Sequence, residues 1–424
     1  MRVQITYLVA VASWQQRVDN ITVPRAMKWF VNRSIFTRYY PAVLVGVLGL
    51  AYGPVSGQAE MKPLPELLVN KEGQPIRTAE AWKQRRPELL RLFEDNVYGQ
   101  LPQDFDSIRF TQTQEDQQAM GGQATLKAID IAVYRRGQSV NIGLVLLVPT
   151  HTTSPPPVFL LINHRASDNM DPSRKVKRPF WPAEEIVARG YAAAAFQVSD
   201  VAPDDTATYD EQVLRLYPEQ RDQPNGMKAI GAWAWGASRA MDYLQTEGDV
   251  DASRVAVVGH SRGGKAALWG GAQDERFAIT VSNNSGNTGA ALSRRKVGET
   301  VEAINAQFPH WFCEQYQQFG GREEALPIDQ HMLLALMAPR ALYVASASDD
   351  AWADPEGEFL AVKYAEPAFA LFGLAPLPVS EPPPVNTPVA SKHLGYHMRE
   401  GEHDLKLYDW ERYMDFADAY FGLE

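Results

Sequence analysis

Cysteine is nearly absent from this chain: Cys313 is the single one among 424 residues. An internal disulfide is therefore excluded, and an oxidising compartment is neither required nor ruled out. No cluster of cysteine and histidine has the spacing of a metal site, and no glycine-rich phosphate loop follows an apolar strand. We therefore expect neither a metal ion nor a cofactor.

An excess of positive charge is also lacking. The 41 lysine and arginine residues are outnumbered by 51 aspartate and glutamate residues, which gives a formal net charge of -10 at pH 7. Acidity of this kind argues against nucleic acid as a partner. With 45% hydrophobic and 22% charged residues, the composition is that of a globular protein large enough for a substantial core.

Long hydrophobic runs are missing near the N-terminus, where the apolar stretch at residues 42–51 is short. This run is shorter than the roughly 20 residues that a membrane-spanning helix needs. Basic residues after Met27 precede it and small residues lead from it to Ala59, which is the order of parts in an export signal. We interpret residues 1–59 as an N-terminal extension with a cleaved signal peptide, in which Met27 is a candidate start. Residues 60–424 are then expected to form one domain that is secreted or periplasmic and has no stable membrane span.

The most informative motif that the chain does contain is GHSRGGK at residues 259–265. An apolar run at 255–258 precedes it, and the helix-forming residues 266–269 follow. Strand, tight turn and helix are the context in which G-x-S-x-G forms a nucleophile elbow, a strained turn that lifts a serine hydroxyl above a sheet. The pattern predicts Ser261 as a nucleophile, and a plain glycine turn is the alternative.

An elbow serine needs a histidine as its base, and α/β-hydrolases carry nucleophile, acid and base in that chain order. Downstream of the elbow, His403 lies in a polar, glycine-containing loop before an amphipathic stretch at 408–421. We favour His403 as the base, with His397 as the alternative. His310 and His331 have apolar neighbours and are expected to line the core or the cleft wall.

The acid that orients the base is expected after a late strand. Residues 341–347 are predicted to form that strand, because they are almost all apolar, and they run directly into Asp349 and Asp350. We favour Asp350 as the partner of the base, and Asp349 is the alternative. The competing interpretation is that both residues cap a helix that begins near Pro355.

Apolar segments alternate with helical ones over most of the chain. This alternation predicts an α/β-hydrolase fold with a mostly parallel central sheet and helices on both faces. Pro87 is expected to separate two short helices, 78–85 and 88–97. A further helix is predicted at 227–244, and the predicted strands are 124–133, 140–148, 158–162, 192–198, 255–258, 277–281 and 341–347.

Six segments, taken in order, resemble the bacterial branch of the glucuronoyl esterases, carbohydrate esterase family 15. The resemblance covers roughly residues 80–420 and rests on 259–265, 281–286, 308–313, 329–332, 346–355 and 401–405. It implies that Arg262 helps to hold the oxyanion and that Lys265 binds sugar hydroxyls. It also implies that Glu299 contacts the uronate ring and that Trp352 lines the sugar site.

Each of these four residues also has a simpler interpretation. Arg262 and Lys265 could be solvated residues on the first turn of a helix, Glu299 could lie on a solvated helix face, and Trp352 could be part of the core.

The chain departs from the family pattern at two positions. Many members carry the acid of the triad as a glutamate where this chain has Asn284, and an amide cannot stabilise an imidazolium as a carboxylate does. The acid must therefore come from elsewhere, and Asp350 is the substitute. His260 stands where fungal members have a cysteine, so a disulfide beside the elbow is excluded.

The leading hypothesis is a secreted serine esterase that cleaves the ester between 4-O-methyl-glucuronic acid on xylan and an alcohol of lignin. Its substrate is then a glucuronoxylan or lignin-carbohydrate ester, which the resemblance alone implies. The alternatives are an acetyl or other carbohydrate esterase, and a polysaccharide-binding homologue that has lost its triad.

Overall fold

The computed structural model describes residues 62–423. The expected signal peptide lies outside these residues, so it stays a prediction. Within residues 62–423, no helix combines the length and the apolar character that crossing a membrane requires.

One ten-stranded sheet runs through the described residues, in the order β1-β2-β3-β5-β4-β6-β7-β8-β10-β9. The strands β5, β4, β6, β7, β8 and β10 are parallel, and the remaining strands pair antiparallel at the two edges. The strands are β1 (Ser107–Gln118), β2 (Ala124–Arg135), β3 (Gln138–Pro149), β4 (Val158–Asn163), β5 (Ala192–Gln197), β6 (Val255–His260), β7 (Ile279–Asn283), β8 (Ala341–Ala347), β9 (Val389–Ala390) and β10 (Leu394–Arg399).

Helices cover both faces of this sheet. Alternate residues of a central strand point to opposite faces, so that Leu160 and Ile162 pack with α5, α6, α8 and α9, whereas Phe159 and Leu161 pack with α3 and α10. The predicted fold class is therefore confirmed. The helices are α1 (Ala79–Phe93), α2 (Ala119–Gly122), α3 (Ala183–Ala188), α4 (Val213–Leu216), α5 (Ala229–Leu244), α6 (Arg262–Gln273), α7 (Val301–Gln307), α8 (Gln330–Ala335), α9 (Pro355–Ala370) and α10 (Leu407–Phe421).

The prediction of two helices separated by Pro87 is wrong. Residues Ala79–Phe93 form one helix with Pro87 inside it, and a π-helical turn, Glu94–Tyr98, follows directly. Proline removes one backbone hydrogen bond from a helix interior. The helix nevertheless continues, because Trp82, Leu89 and Phe93 are fully buried on one side of it, and tertiary packing supplies most of a helix's stability.

The seven predicted strands all form, each within two residues of its predicted bounds. Strands β1, β9 and β10 were not predicted. Strand β1 is a mostly exposed edge strand, and only Ile108 and Phe110 in it are apolar, so the apolar alternation is too short to mark it in the sequence.

The turn between β6 and α6 holds Ser261 in a strained backbone conformation. Its φ is 54° and its ψ is -126°, a combination that a serine adopts only when the surrounding structure imposes it. A Cβ atom on Gly259 would lie 1.9 Å from the carbonyl oxygen of Gly263, so the strand and the helix approach too closely for a side chain. The predicted elbow is therefore built as G-x-S-x-G requires.

We expect Gly259→Ala to destabilise the protein strongly, because the added methyl group meets backbone that cannot move aside. The loss in free energy of unfolding should be at least about 3 kcal/mol, measured by urea denaturation. Gly248→Ala is the matched control, since nothing lies within 4 Å of a Cβ at that loop position. A Gly259→Ala protein that unfolds at the same urea concentration as the control would show that the turn is not tightly constrained.

Candidate active site

The side chains of Ser261, His403 and Asp350 form one continuous line of hydrogen bonds. The Nε2 atom of His403 lies 2.9 Å from Oγ of Ser261, and its Nδ1 atom lies 2.6 Å from Oδ2 of Asp350. Since an ionised carboxylate only accepts hydrogen bonds, Nδ1 carries the proton and Nε2 is free to accept the proton of the serine hydroxyl. The arrangement can therefore activate Ser261 as a nucleophile towards an acyl carbon.

The sheet order explains why three residues so distant in sequence meet. Ser261 follows β6, Asp350 follows β8 and His403 follows β10, and the carboxyl ends of parallel strands share one edge of the sheet. The two last loops are also bonded to each other. The backbone N–H of Gly401 donates to Oγ of Ser348 at 3.1 Å, and the N–H of Asp349 donates to the carbonyl of Gly401 at 3.0 Å.

Asp350 is a buried carboxylate with two side-chain donors. Besides His403, the Nδ2 atom of Asn284 donates to its Oδ2 at 2.8 Å. Burial alone raises the pKa of Asp350, but the hydrogen bonds from His403 and Asn284 outweigh burial and hold the pKa below its ordinary value. The carboxylate therefore stays ionised at neutral pH, and Asn284 serves as a second donor to it.

The alternative acid and the capping interpretation do not match this geometry. Asp349 is exposed and accepts a hydrogen bond from Ser348, the residue before it, rather than from the base. The helix α9 is capped by Asp354, whose Oδ1 accepts from the N–H of Gly357 at 3.1 Å. Asp350 therefore does not cap this helix.

The other histidines lie where they cannot replace His403. His397 is fully buried within β10, between Tyr343 and Asp409, and not in a loop. His331 is buried and within hydrogen-bonding distance of the carbonyl of Pro65. His310 is buried too, as expected, and its Nε2 donates to Asp204 at 2.9 Å.

Arg262 is held in place rather than solvated. Its guanidinium pairs with Asp204 and lies over the rings of Trp311 and Phe308, at 4.6 and 5.1 Å from their centroids. Trp311 also donates from Nε1 to Asp204 at 2.8 Å. Burial alone raises the pKa of Asp204, but the hydrogen bond from His310 and the charge of Arg262 hold the pKa well below its ordinary value.

Asp204 was not identified from the sequence. It lies in a polar segment after β5, beside Asp205, and no motif distinguishes the two residues. Its function depends on Arg262, which is 58 positions away in the chain.

Lys265 and Glu299 form a buried ion pair beside the elbow. The Nζ atom of Lys265 lies 2.7 Å from Oε2 of Glu299, and it also donates to the backbone carbonyls of Ser285 and Asn287. Burial lowers the pKa of Lys265, and the charge of Glu299 opposes that shift. All three donors of the ammonium are used within the protein, so a sugar hydroxyl must displace one of these partners or bind the Glu299 side of the pair.

Trp352 lies at the surface, with 47% of its area exposed, and is not part of the core. Its carbonyl accepts a hydrogen bond from the N–H of Glu299 at 2.8 Å, so the two residues are held side by side. An exposed indole offers a sugar ring an apolar face with an N–H at its edge.

His260, immediately before Ser261, is a fully buried neighbour of His403. Its ring centroid is 4.6 Å from that of His403, and its Nδ1 lies 2.6 Å from Oδ1 of Asn283. Burial holds the pKa of His260 well below its ordinary value, and the charge of nearby His403 acts in the same direction. His260 therefore adds bulk but no charge next to the base.

Comparison with known proteins identifies the family of this chain. Residues 131–373 match the sequence model of a family described as "Glucuronyl esterase, fungi". The chain belongs to the glucuronoyl esterases of carbohydrate esterase family 15. It is accordingly a carboxylic ester hydrolase with an α/β-hydrolase fold.

Three of the most similar proteins show how far the likeness extends. The carbohydrate esterase MZ0003, from an unknown prokaryotic organism, is 38% identical over 387 residues, which are 84% of this chain and 89% of that protein. The glucuronoyl esterase structure from Solibacter usitatus has a TM-score of 0.80 at 40% identity, covering 85% of this chain and 98% of that one. The 4-O-methyl-glucuronoyl methylesterase of Schizophyllum commune is 26% identical over 76% of both chains.

Asn284→Asp should move the acid limb of the pH profile of kcat/KM to higher pH, by roughly one unit. The change adds a negative charge beside the hydrogen-bonded pair of His403 and Asp350. This charge favours the protonated, inactive form of the pair, so the active form is reached only at a higher pH. Asn96→Asp, in the turn after α1, adds the same charge away from the site and serves as the control. An acid limb that stays in place or moves to lower pH would contradict this account of Asn284.

Lys265→Met should lower the free energy of unfolding by about 3 to 5 kcal/mol, because it leaves the buried Glu299 without its counter-charge. The double variant Lys265→Met/Glu299→Gln removes both charges and should recover a large part of that loss. Urea denaturation of Lys265→Met, Glu299→Gln, the double variant and the wild type measures both effects. A double variant as unstable as the sum of the two single variants would mean that the pair is not energetically coupled.

Proposed function

We propose that the protein is a serine esterase that hydrolyses 4-O-methyl-glucuronoyl esters between xylan and lignin. The observation that carries the proposal is the hydrogen-bonded line from Ser261 through His403 to Asp350. The substrate is supported by the relatives, which include a glucuronoyl esterase and a 4-O-methyl-glucuronoyl methylesterase. Export from the cell is supported by the order of basic, apolar and small residues before position 60.

The reaction proceeds in two halves. Oγ of Ser261 attacks the ester carbonyl while Nε2 of His403 takes the hydroxyl proton, and Asp350 stabilises the imidazolium that forms. His403 then gives the proton to the departing alcohol, which leaves the uronoyl group esterified to Ser261. Water, deprotonated by His403, attacks this acyl-enzyme and releases the uronic acid and the free serine.

Two groups of Arg262 are available for the oxyanion. Its backbone N–H is the first of helix α6 and therefore has no acceptor within the helix. Its guanidinium, fixed by Asp204, adds a positive charge beside the elbow. Charge on the carbonyl oxygen develops only as the serine adds, so these donors stabilise the transition state more than the bound ester.

The sugar is expected on the side of the elbow formed by the loops after β7 and β8. Glu299 and Trp352 are adjacent there, and Lys265 fixes the carboxylate of Glu299. The hydroxyl groups of the uronate can then bind the carboxylate of Glu299, and the sugar ring can lie against the exposed indole of Trp352.

The decisive comparison uses benzyl glucuronate and a simple acetyl ester as substrates for the wild type and Ser261→Ala. We expect a clear preference for the glucuronate, and a fall in kcat of at least about 10⁴-fold in Ser261→Ala, since the nucleophile is lost. Equal or better turnover of the acetyl ester would favour a general carbohydrate esterase instead. Full activity of Ser261→Ala would contradict the mechanism.

Asp350→Asn tests the acid separately. An amide leaves the geometry intact but cannot hold the imidazolium, so kcat should fall about 10³- to 10⁴-fold. Asp349→Asn is the matched control and should retain the wild-type rate. A nearly unchanged rate in Asp350→Asn would show that the acid lies elsewhere.

A further inference from the structure

The loop that carries His403 closes around the guanidinium of a buried arginine, Arg399. Its Nη2 atom donates to the backbone carbonyls of Glu402 and Asp404, at 2.8 and 2.6 Å, and these two residues flank His403 in the chain. Its Nη1 atom donates to the carbonyl of Glu400 at 3.1 Å. Three carbonyls of one five-residue segment thus converge on a side chain that is only 2% exposed.

The middle of the loop lies near the surface. His403 has 38% of its side chain exposed, and Glu402 is exposed. The bonds from Gly401 to the segment before Asp350 hold the start of the loop. Asp404 pairs with Arg165 at 3.1 Å, and Leu405 is fully buried just before α10, so the end of the loop is held as well. At His403 itself, Arg399 is the side chain that binds the backbone carbonyls on both sides.

The positive charge of Arg399 is balanced below the loop by Asp409, which is completely buried at the start of α10. Nε of Arg399 donates to Oδ2 of Asp409 at 2.9 Å, and Nε2 of His397 donates to Oδ1 at 2.8 Å. Oδ2 also accepts from the backbone N–H of Lys406, the cap of that helix, at 2.8 Å. The carboxylate therefore links the guanidinium to the helix that follows the loop.

His397 has its tautomer fixed by this network. Burial lowers the pKa of its imidazole, although the charge of Asp409 opposes the shift. The neutral ring donates through Nε2 to Asp409 and accepts through Nδ1 from the hydroxyl of Tyr343 at 3.0 Å. Asp409 thus remains the counter-charge of Arg399 and is not neutralised by a proton from the histidine.

We propose that Arg399 is a positioning residue for the reaction: it holds the 400–404 loop so that His403 reaches both Ser261 and Asp350. The proposal rests on the proposed function, since it takes His403 as the base. A lysine cannot replace it, because four of the guanidinium's five N–H groups are used in different directions from three nitrogens, whereas an ammonium has only three N–H groups on one nitrogen.

Arg399→Lys tests the proposal. A displacement of the base by about 1 Å costs roughly 10²-fold in rate, so we expect kcat to fall 10- to 100-fold. KM should stay within about twofold of the wild-type value, because the sugar contacts proposed above lie on other loops. The rate at which a fluorophosphonate labels Ser261 should fall by the same factor as kcat, since that reaction needs the same base.

Arg340→Lys is the matched control for a purely structural effect. Arg340 is also a mostly buried arginine that donates to backbone carbonyls, those of Phe277 at 2.9 Å and Gly271 at 2.7 Å. It precedes β8 and so lies at the opposite edge of the sheet from Asp350. Its replacement should lower the midpoint of thermal unfolding and leave kcat within about twofold of the wild type, in contrast to Arg399→Lys.

Gly401→Ala provides a second test that leaves the buried pair of Arg399 and Asp409 intact. Gly401 has a φ of +105°, which an alanine rarely adopts, and the new methyl group would lie 3.5 Å from Nη1 of Arg399. The loop must shift, and kcat should fall again with little change in KM. Gly373→Ala, at a φ of +71° with open space around it, is the control and should keep the wild-type kcat.

The outcomes separate this proposal from the proposed function. If His403→Ala abolishes activity while Arg399→Lys and Gly401→Ala both retain the wild-type kcat, Arg399 does not position the base and only this proposal fails. The positioning role is likewise contradicted if both variants raise KM at constant kcat. If His403→Ala is fully active, the proposed function fails and this proposal fails with it.

Discussion

The strained turn at Ser261 is the constraint on which the rest of the site depends. Close contacts of Gly259 with Gly263 bring β6 against α6, and a Cβ on Gly264 would lie 2.9 Å from Cβ of Ser285, in the loop after β7. This loop also carries Asn284, the donor to Asp350. The close approach that exposes Ser261 therefore also brings Asn284 within hydrogen-bonding distance of Asp350. The packing of the sheet beneath the turn compensates for the free energy cost of the strained conformation.

The charged side chains around the site form three separate ion pairs, two of them buried and one partly buried. Asp204 holds Arg262, Glu299 holds Lys265, and Asp409 holds Arg399. A buried ion pair contributes little net stability compared with apolar packing. We therefore interpret these pairs as fixing the orientation of the three basic side chains rather than as stabilising the fold. Arg262 lies beside Ser261, Lys265 lies beside the proposed sugar site, and Arg399 lies beneath the loop that carries His403.

The three residues that we propose as the triad are marked in the sequence by their local context, and the structure brings them together. Ser261 lies in a motif between a strand and a helix, Asp350 directly follows an apolar strand, and His403 lies in a polar loop before a helix. Asp204 and Arg399 could not be found in this way, because only contacts across the fold distinguish them from other charged residues. The polar edge strand β1 and the helix through Pro87 were missed for the same physical reason, since tertiary packing and sheet pairing override the local pattern there.

The most direct test of the account is to count and map the phosphonyl groups that a fluorophosphonate attaches to the protein, while following hydrolysis of benzyl glucuronate. The account predicts one group per chain, attached to Ser261, with activity lost in proportion to labelling. Protein that is fully labelled at Ser261 and still hydrolyses the ester at the original rate would contradict it.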